Sequence, residues 1–161
     1  MTLPCSRDIL TQFLVQAKRA TYATQGDDAT VTPLLPQSRQ LEYGDDALFY
    51  RDVYVGITSF VGQEIVYYEN QPIWSLSYAG GLEPHVDSAQ AMHPVFAFLR
   101  TALQQVSEDH PYRGPDDTAA SLYHYIHQQH GDFETFWGTE RITERAQTVY
   151  TLRYSGRVLA S

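Results

Sequence analysis

The chain has 161 residues, 43% apolar and 13% aromatic, which is enough for one domain with a hydrophobic core and argues against a disordered chain. Its 19 acidic and 11 basic side chains give a net charge of −8, which argues against direct binding of nucleic acid. A single cysteine excludes an internal disulfide, and without a signal-peptide pattern or a long apolar run the sequence predicts a cytoplasmic protein with no membrane partner.

The first half of the sequence predicts a helix followed by antiparallel strands. Apolar residues recur at helical spacing over residues 7–20, and a loop rich in Gly, Asp and Thr follows. Aromatic and β-branched residues predict strands over 40–43, 47–56, 57–68 and 72–79. The tetrapeptide ENQP predicts the last turn, because Asn and Pro are typical of turns.

The second half predicts a similar order of elements. A helix is expected from about His93 to Val106, with Pro94 as its first helical residue. The loop SEDHPYRGPDD follows. The spacing in residues 121–130 fits either a helix or a strand, and the repeat described next favours a strand.

Two hairpins of the sequence resemble each other. Residues 60–81 (FVGQEIVYYENQPIWSLSYAGG) align without a gap to residues 136–157 (FWGTERITERAQTVYTLRYSGR) at an offset of 76 positions. With one deletion, LFYRDVYVG also aligns to YHYIHQQHG. The sequence therefore predicts a single α+β domain with a pseudo-twofold axis. Its internally duplicated unit is a helix plus an antiparallel meander, giving about two helices and six or more strands, with repeats at about 7–82 and 93–158.

Period-two alternation assigns the side chains of these hairpins to two faces of a sheet. One face carries Trp74, Leu76, Tyr78, Tyr150, Leu152 and Tyr154. This aromatic face is expected to pack on a helix or to line a concavity. Gly62 and Gly138 interrupt strands, which predicts a bulge, a bend or the close approach of a ligand.

The chain resembles an uncharacterised bacterial family of domains of unknown function. The segments that carry the resemblance are FLVQAKRATYA, YRDVYVG, the first hairpin, YRGP and GDFETFWGTE. Proteins similar to this one stand alone or follow an XRE-type helix-turn-helix, which this chain lacks. The resemblance implies a binding or sensing role and no catalytic residue.

Four polar side chains are candidates for a site. Glu64 and Glu140 are equivalent in the two repeats, so two carboxylates are expected to face one cleft, for acid–base work or as structural partners of arginines. Arg113 lies between two prolines, as a rigid anion clamp or as the tie of a turn. Arg51 and Asp52 point to opposite faces, so at least one is expected to be buried, and Arg51 is predicted to pair with a glutamate.

Aromatic side chains complete the candidate ligand site between the repeats, unless they form only the core. The residues proposed are Tyr50, Tyr54, Trp74, Tyr78, Phe136, Trp137, Tyr150 and Tyr154. His124, His127 and His130 have no metal-site signature, and nucleotide-binding and nucleophile motifs are absent, so no metal and no cofactor are predicted.

Three functions remain open from the sequence. The first is a small-molecule-binding or sensing module with an aromatic cleft between its repeats. The second is a small hydrolase or isomerase that uses Glu64 and Glu140. The third is an interaction protein that forms a homodimer through its aromatic surface.

Overall fold

The computed structural model describes residues 3–23, 31–45 and 47–159. Within these ranges the chain forms two helices and eight strands: α1 (Arg7–Ala23), β1 (Arg39–Gly44), β2 (Leu48–Gly56), β3 (Ser59–Tyr68), β4 (Gln71–Leu82), α2 (Ala89–Leu103), β5 (Asp117–Ala120), β6 (Tyr123–Gly131), β7 (Thr135–Glu144) and β8 (Gln147–Val158). The loop expected after α1 lies largely outside the described residues.

All eight strands belong to one antiparallel sheet, in the order β1-β2-β3-β4-β8-β7-β6-β5. The first half of the sheet, β1 to β4, and the second half, β5 to β8, are each a meander. The two halves meet where β4 pairs with β8, with Tyr78 opposite Tyr154. The helices pack on one face, so the predicted α+β class is confirmed. Neither helix of the described residues is long and apolar enough to span a membrane.

Along the two central strands, β4 and β8, successive side chains alternate between a buried face and an exposed face of the sheet. Trp74, Leu76 and Tyr78 of β4 are buried on the face that the helices cover, which we call the inner face. The matching residues of β8 are buried in the same way, whereas Ser77 and Arg153 are exposed on the opposite, outer face. The prediction that the aromatic residues share a buried face is therefore confirmed.

The two halves share local features at the predicted offset. Each half has a register shift in its third strand, between Val66 and Tyr67 in β3 and between Ile142 and Thr143 in β7. Each has a two-residue turn in which both residues have positive φ, at 69–70 and 145–146. These features fit two copies of one unit, and the duplication itself remains a prediction. Each meander has four strands rather than the three strands of the predicted unit.

The boundaries of α2 differ from the prediction. The helix begins at Ala89, because the Ser88 side chain accepts a hydrogen bond from the backbone N–H of Ala91 as an N-cap. Pro94 therefore lies inside the helix and not at its first position. Residues 123–131 form β6, so the prediction of a strand in this region is confirmed. The short strand β5 was missed because four residues at the sheet edge carry little pattern.

The glycines inside β3 and β7 are each approached closely by a side chain of the neighbouring strand. A Cβ at Gly62 would lie 2.4 Å from the ring of Tyr78, and a Cβ at Gly138 would lie 2.4 Å from the hydroxyl of Tyr154. A tyrosine of the neighbouring strand thus covers each bare backbone, and both register shifts lie elsewhere in the strands. A side chain of the protein itself makes the close approach.

Candidate functional site

Four charged side chains form a buried network between α1, the inner face of the sheet and the loop before β5. We call Lys18, Glu64, Arg113 and Glu140 the ion network. Each of them is at most 5% exposed. Charges removed from water to this extent need opposite charges and hydrogen bonds to be tolerated.

Glu140 is the most fully bonded member of the ion network. Arg113 donates to both of its carboxylate oxygens, from Nε at 2.7 Å and from Nη2 at 3.0 Å. The hydroxyls of Tyr125 and Tyr150 donate to the same carboxylate at 2.7 and 3.3 Å. Burial acts to raise the pKa of Glu140, but the Arg113 charge and these hydrogen bonds outweigh it and hold the pKa below its usual value.

Glu64 binds the other cation of the ion network. Lys18 forms an ion pair with its Oε2, and Arg113 Nη1 lies 3.6 Å from its Oε1. Lys18 also donates to the carbonyl of Tyr112 at 2.7 Å, and its Nζ lies 5.7 Å from the centroid of the Trp74 ring. Burial lowers the pKa of Lys18 against the opposing effect of Glu64.

Arg113 therefore lies between the two glutamates that the sequence singled out. The carboxylates reach one site, as expected, but a guanidinium separates them and neither is among the residues that line the inner-face cavity described below. Their arginine partner is Arg113, whereas Arg51 points to the outer face and binds Glu42 with Nε 2.9 Å from Oε1. The prediction that Arg51 pairs with a glutamate is confirmed, and its place in an inner-face site is wrong.

A cavity of about 290 Å³ lies between α2 and the inner face of the first half of the sheet. At its deep end are the buried side chains of Asp52, Tyr78 and Arg113. At its mouth are the exposed residues Arg39 and Arg100. The remaining lining is mostly apolar: Thr21, Leu41, Tyr54, Gly56, Ile57, Phe60, Phe96, Leu99 and Leu103.

Asp52 lines the cavity, although it is not among the site residues predicted from the sequence. Its carboxylate accepts a hydrogen bond of 2.7 Å from the Tyr78 hydroxyl. Burial, followed by the negative charge of Glu64, raises its pKa to about 7. The signal was present, because alternation along β2 places Asp52 on the same face as Tyr50 and Tyr54, in an otherwise aromatic row.

His127 occupies the position in the second half that corresponds to Asp52. One ring nitrogen lies 2.8 Å from the Tyr154 hydroxyl and the other lies 3.1 Å from the Gly114 carbonyl. Burial lowers its pKa, so the imidazole is neutral at pH 7. A tyrosine thus binds an acid in one half and a neutral imidazole in the other.

The two halves also differ in what covers the first phenylalanine of each hairpin. The ring of Tyr112 stacks on Phe136 with centroids 3.8 Å apart. At the equivalent place the ring of Phe60 lines the cavity, and its ring contacts within the described residues are tilted or edge-on. Within the described residues no aromatic ring stacks face to face on Phe60, and its ring borders the cavity instead.

The other candidate aromatics separate into three groups. Tyr54 and Tyr78 line the cavity. Five lie in the core or contact His127 instead: Tyr50, Trp74, Phe136, Tyr150 and Tyr154. Trp137 is 52% exposed on the outer face, where it stacks on His130, so its assignment to a shared concavity is wrong. Strand alternation places it opposite to Phe136.

Metal ligation finds no support in the part of the chain that the structure describes. Those residues contain no group of three or more His, Cys, Asp or Glu side chains that could hold a metal ion. His124 instead pairs with Asp117, with Nε2 2.7 Å from Oδ2.

The fold and site define an α+β domain in which a one-sided cavity lies beside a buried ion network. The chain belongs to the family described as Domain of unknown function (DUF5680), whose model matches residues 52–159. The match begins at Asp52 and includes Arg113 and both glutamates. No curated protein and no solved structure matches the chain significantly. The bacterial origin and the association with helix-turn-helix regulators remain predictions.

Proposed function

We propose that this domain binds a small organic molecule in the cavity beneath α2 and acts as a binding or sensing module. The ligand has a planar apolar body and an anionic group. The observation that carries the proposal is the cavity that the Phe60 ring borders, whereas the equivalent ring of Phe136 is covered by Tyr112. The body of the ligand takes the place that the Tyr112 ring takes in the second half.

The lining of the cavity favours an aromatic or similarly flat body. The rings of Tyr54, Phe60 and Phe96 face a volume of about 290 Å³. This volume is near the lower end of the roughly 300–1,000 Å³ that is typical of small-molecule sites. Offset or edge contacts with such rings add about 0.5–1.5 kcal/mol to the gain from burial alone.

Two arginines at the mouth favour an anionic group on the ligand. Arg39 and Arg100 approach the mouth from β1 and from α2. A guanidinium presents a planar set of donors that matches a carboxylate or a phosphate. The chain carries a net charge of −8, so this local pair of cations contrasts with the rest of the molecule.

The ion network supports binding rather than acid–base chemistry by the two glutamates. Glu140 is ionised and accepts four hydrogen bonds, so it does not present a proton or a free lone pair to a substrate. Glu64 is fully buried against Lys18. We therefore assign the network to holding Arg113 and the deep wall of the cavity in place.

Native mass spectrometry and thermal-shift measurements test this proposal. We expect the protein purified under mild conditions to retain a small molecule, or to be stabilised by simple aromatic carboxylates such as 3-phenylpropionate. The double variant Arg39→Gln/Arg100→Gln is expected to weaken that binding by at least about tenfold, because the anionic group loses both guanidiniums. The matched control is Arg141→Gln/Arg157→Gln, whose side chains are exposed on the outer face.

The same spectra discriminate between the candidate functions. Binding that is equal in the two double variants contradicts the proposed site. The absence of any retained molecule and of any thermal shift contradicts the proposed function. A dimer that forms without a bound molecule favours the interaction protein that the sequence left open.

A further inference from the structure

We infer that the ligand also carries a basic nitrogen, and that the Asp52 carboxylate, held by Tyr78, binds this nitrogen at the deep end of the cavity. The ligand class is then a small aromatic zwitterion, such as an aromatic amino acid or a close relative. The inference rests on the proposed function, because it places a second charged group in the same cavity.

The first observation behind this inference is that the buried charges do not balance when Asp52 is ionised. In the ion network the two cations, Lys18 and Arg113, face two anions, Glu64 and Glu140. These four charges cancel. Asp52 adds a fifth charge that forms no ion pair within 4.0 Å among the described residues. A buried carboxylate of this kind is either protonated, as its raised pKa allows, or ionised beside a counterion from elsewhere, and a ligand amine that reaches the cavity supplies that counterion.

Access to the cavity carries the second step. Asp52 lines the cavity beside Tyr78, so a bound molecule reaches its carboxylate directly. Tyr78 Oη donates to Oδ1 at 2.7 Å and so fixes the orientation of the carboxylate. The Tyr78 ring is held in turn, because Arg113 lies 5.6 Å from its centroid and Gly62 leaves room for it.

The second half of the sheet supplies an internal comparison. At the equivalent position His127 is neutral and lies within hydrogen-bond distance of Tyr154 and the Gly114 carbonyl, so it needs no counterion. There the space over the phenylalanine is filled. The acidic side chain is found in the half that has the open space, which is the arrangement expected if a ligand supplies the balancing charge.

The distance between the two ends suits a compact ligand. Arg39 pairs with Tyr54 across β1 and β2, and Leu41 pairs with Asp52. Arg39 and Asp52 are therefore diagonal neighbours on adjacent strands, a relation that separates their backbone positions by about 7–8 Å.

The charged groups around Asp52 determine whether ligand affinity rises or falls with pH, and this direction can be measured. The charged and titratable groups nearest to it are Glu64 from β3, Tyr78 from β4, Lys18 from α1 and Arg113 from the loop before β5. Tyr54 of β2 lies on the same face, and Arg39 of β1 and Arg100 of α2 lie at the mouth of the cavity. Burial and the Glu64 charge raise the Asp52 pKa to about 7. A bound ammonium group opposes both effects, so binding below pH 7 releases a proton and the affinity rises with pH.

Three related probes test the inference on the full chain: L-phenylalanine, 3-phenylpropionate, which lacks the amine, and 2-phenylethylamine, which lacks the carboxylate. Dissociation constants are measured by calorimetry and NMR titration between pH 6 and 8. We expect wild type to bind L-phenylalanine at least about tenfold more tightly than either analogue at pH 8. We expect that affinity to rise about tenfold from pH 6 to pH 8 as Asp52 ionises.

The variant Asp52→Asn removes the charge and keeps an acceptor for Tyr78. It is expected to weaken L-phenylalanine binding at least about tenfold and to change 3-phenylpropionate binding less than about twofold. The exposed Asp87→Asn is the matched control. The inference is wrong if Asp52→Asn binds L-phenylalanine as tightly as wild type does. It is also wrong if wild type binds L-phenylalanine no more tightly than 3-phenylpropionate. In both cases the proposed function stands. If no probe binds wild type, both are overturned.

Discussion

Arg113 shows how a few residues connect distant parts of this molecule. It bonds Glu140 of β7, approaches Glu64 of β3 and lies over the ring of Tyr78. Its loop also supplies the Tyr112 carbonyl that Lys18 binds. Breaking a buried pair of this kind by removing one partner typically costs about 3–5 kcal/mol, because the other charge stays buried. The network thus fixes the loop against the sheet at one point.

At the same scale, the charge of Asp52 predicts how stability depends on pH. Its pKa in the folded protein, about 7, lies above the ordinary value near 4. Between these values the folded state binds more protons than the unfolded state, so this group makes stability fall as the pH rises from about 4 to about 7. The variant Asp52→Asn does not titrate and keeps the Tyr78 hydrogen bond.

We therefore expect Asp52→Asn to match wild type near pH 5 and to be more stable by about 1–3 kcal/mol at pH 8. Urea unfolding at pH 5, 6, 7 and 8 measures the difference. The exposed Asp87→Asn should show no such trend. A stability difference that stays constant across this range would contradict the raised pKa.

At the scale of elements, the strands and their buried face were predicted mainly from the alternation of apolar residues and from the residues typical of turns. The aromatic rows of β4 and β8 identified the buried face, because their period-two pattern extends over whole strands. The sequence allowed arginine partners for Glu64 and Glu140 but could not identify them, since Lys18 and Arg113 come from a helix and a loop far away in the sequence. The cavity could not be predicted either, because its lining comes from α1, α2, the first half of the sheet and the loop before β5, whose packing the sequence pattern does not give.

The two hairpin turns give a prediction for single elements. Residues Glu69–Asn70 and Arg145–Ala146 each link two strands with positive φ at both positions. Asn and Gly favour this geometry, whereas other residues are strained in it by about 1 kcal/mol each. Replacing Arg145–Ala146 by Asn-Gly should therefore raise the free energy of unfolding by about 1–2 kcal/mol.

Guanidinium chloride unfolding measures this gain, and Asn70→Ala in the first hairpin is the converse test. That variant should lose about 1 kcal/mol, because alanine tolerates positive φ less well than asparagine. An Asn-Gly variant no more stable than wild type would show that the second turn is relaxed by its surroundings, such as the hydrogen bond from the Arg145 N–H to the Leu122 carbonyl.

At the scale of the whole molecule, the two halves have the same arrangement of strands but different side chains in their interiors. Tyr78 and Tyr154 face each other across the β4–β8 junction, and each covers a glycine of its own half. One tyrosine then binds Asp52 at the cavity and the other contacts His127 in a filled interior. The same substitution can therefore be made at the matching glycine of each half, and only the first half has the cavity beside it.

Gly62→Ala and Gly138→Ala are this pair of substitutions. Each new Cβ would lie 2.4 Å from the hydroxyl of the covering tyrosine, so the ring must move. We expect both variants to lose about 1–3 kcal/mol of stability, as is typical of an overpacked interior. Only Gly62→Ala should also raise the pKa of Asp52, since the Tyr78 hydrogen bond that favours its ionised form is displaced.

Carboxyl ¹³C NMR titration of wild type and the two variants measures this pKa directly. A pKa of Asp52 that moves equally in both variants would mean that the halves are coupled through the β4–β8 junction and that the cavity does not respond to Tyr78 alone.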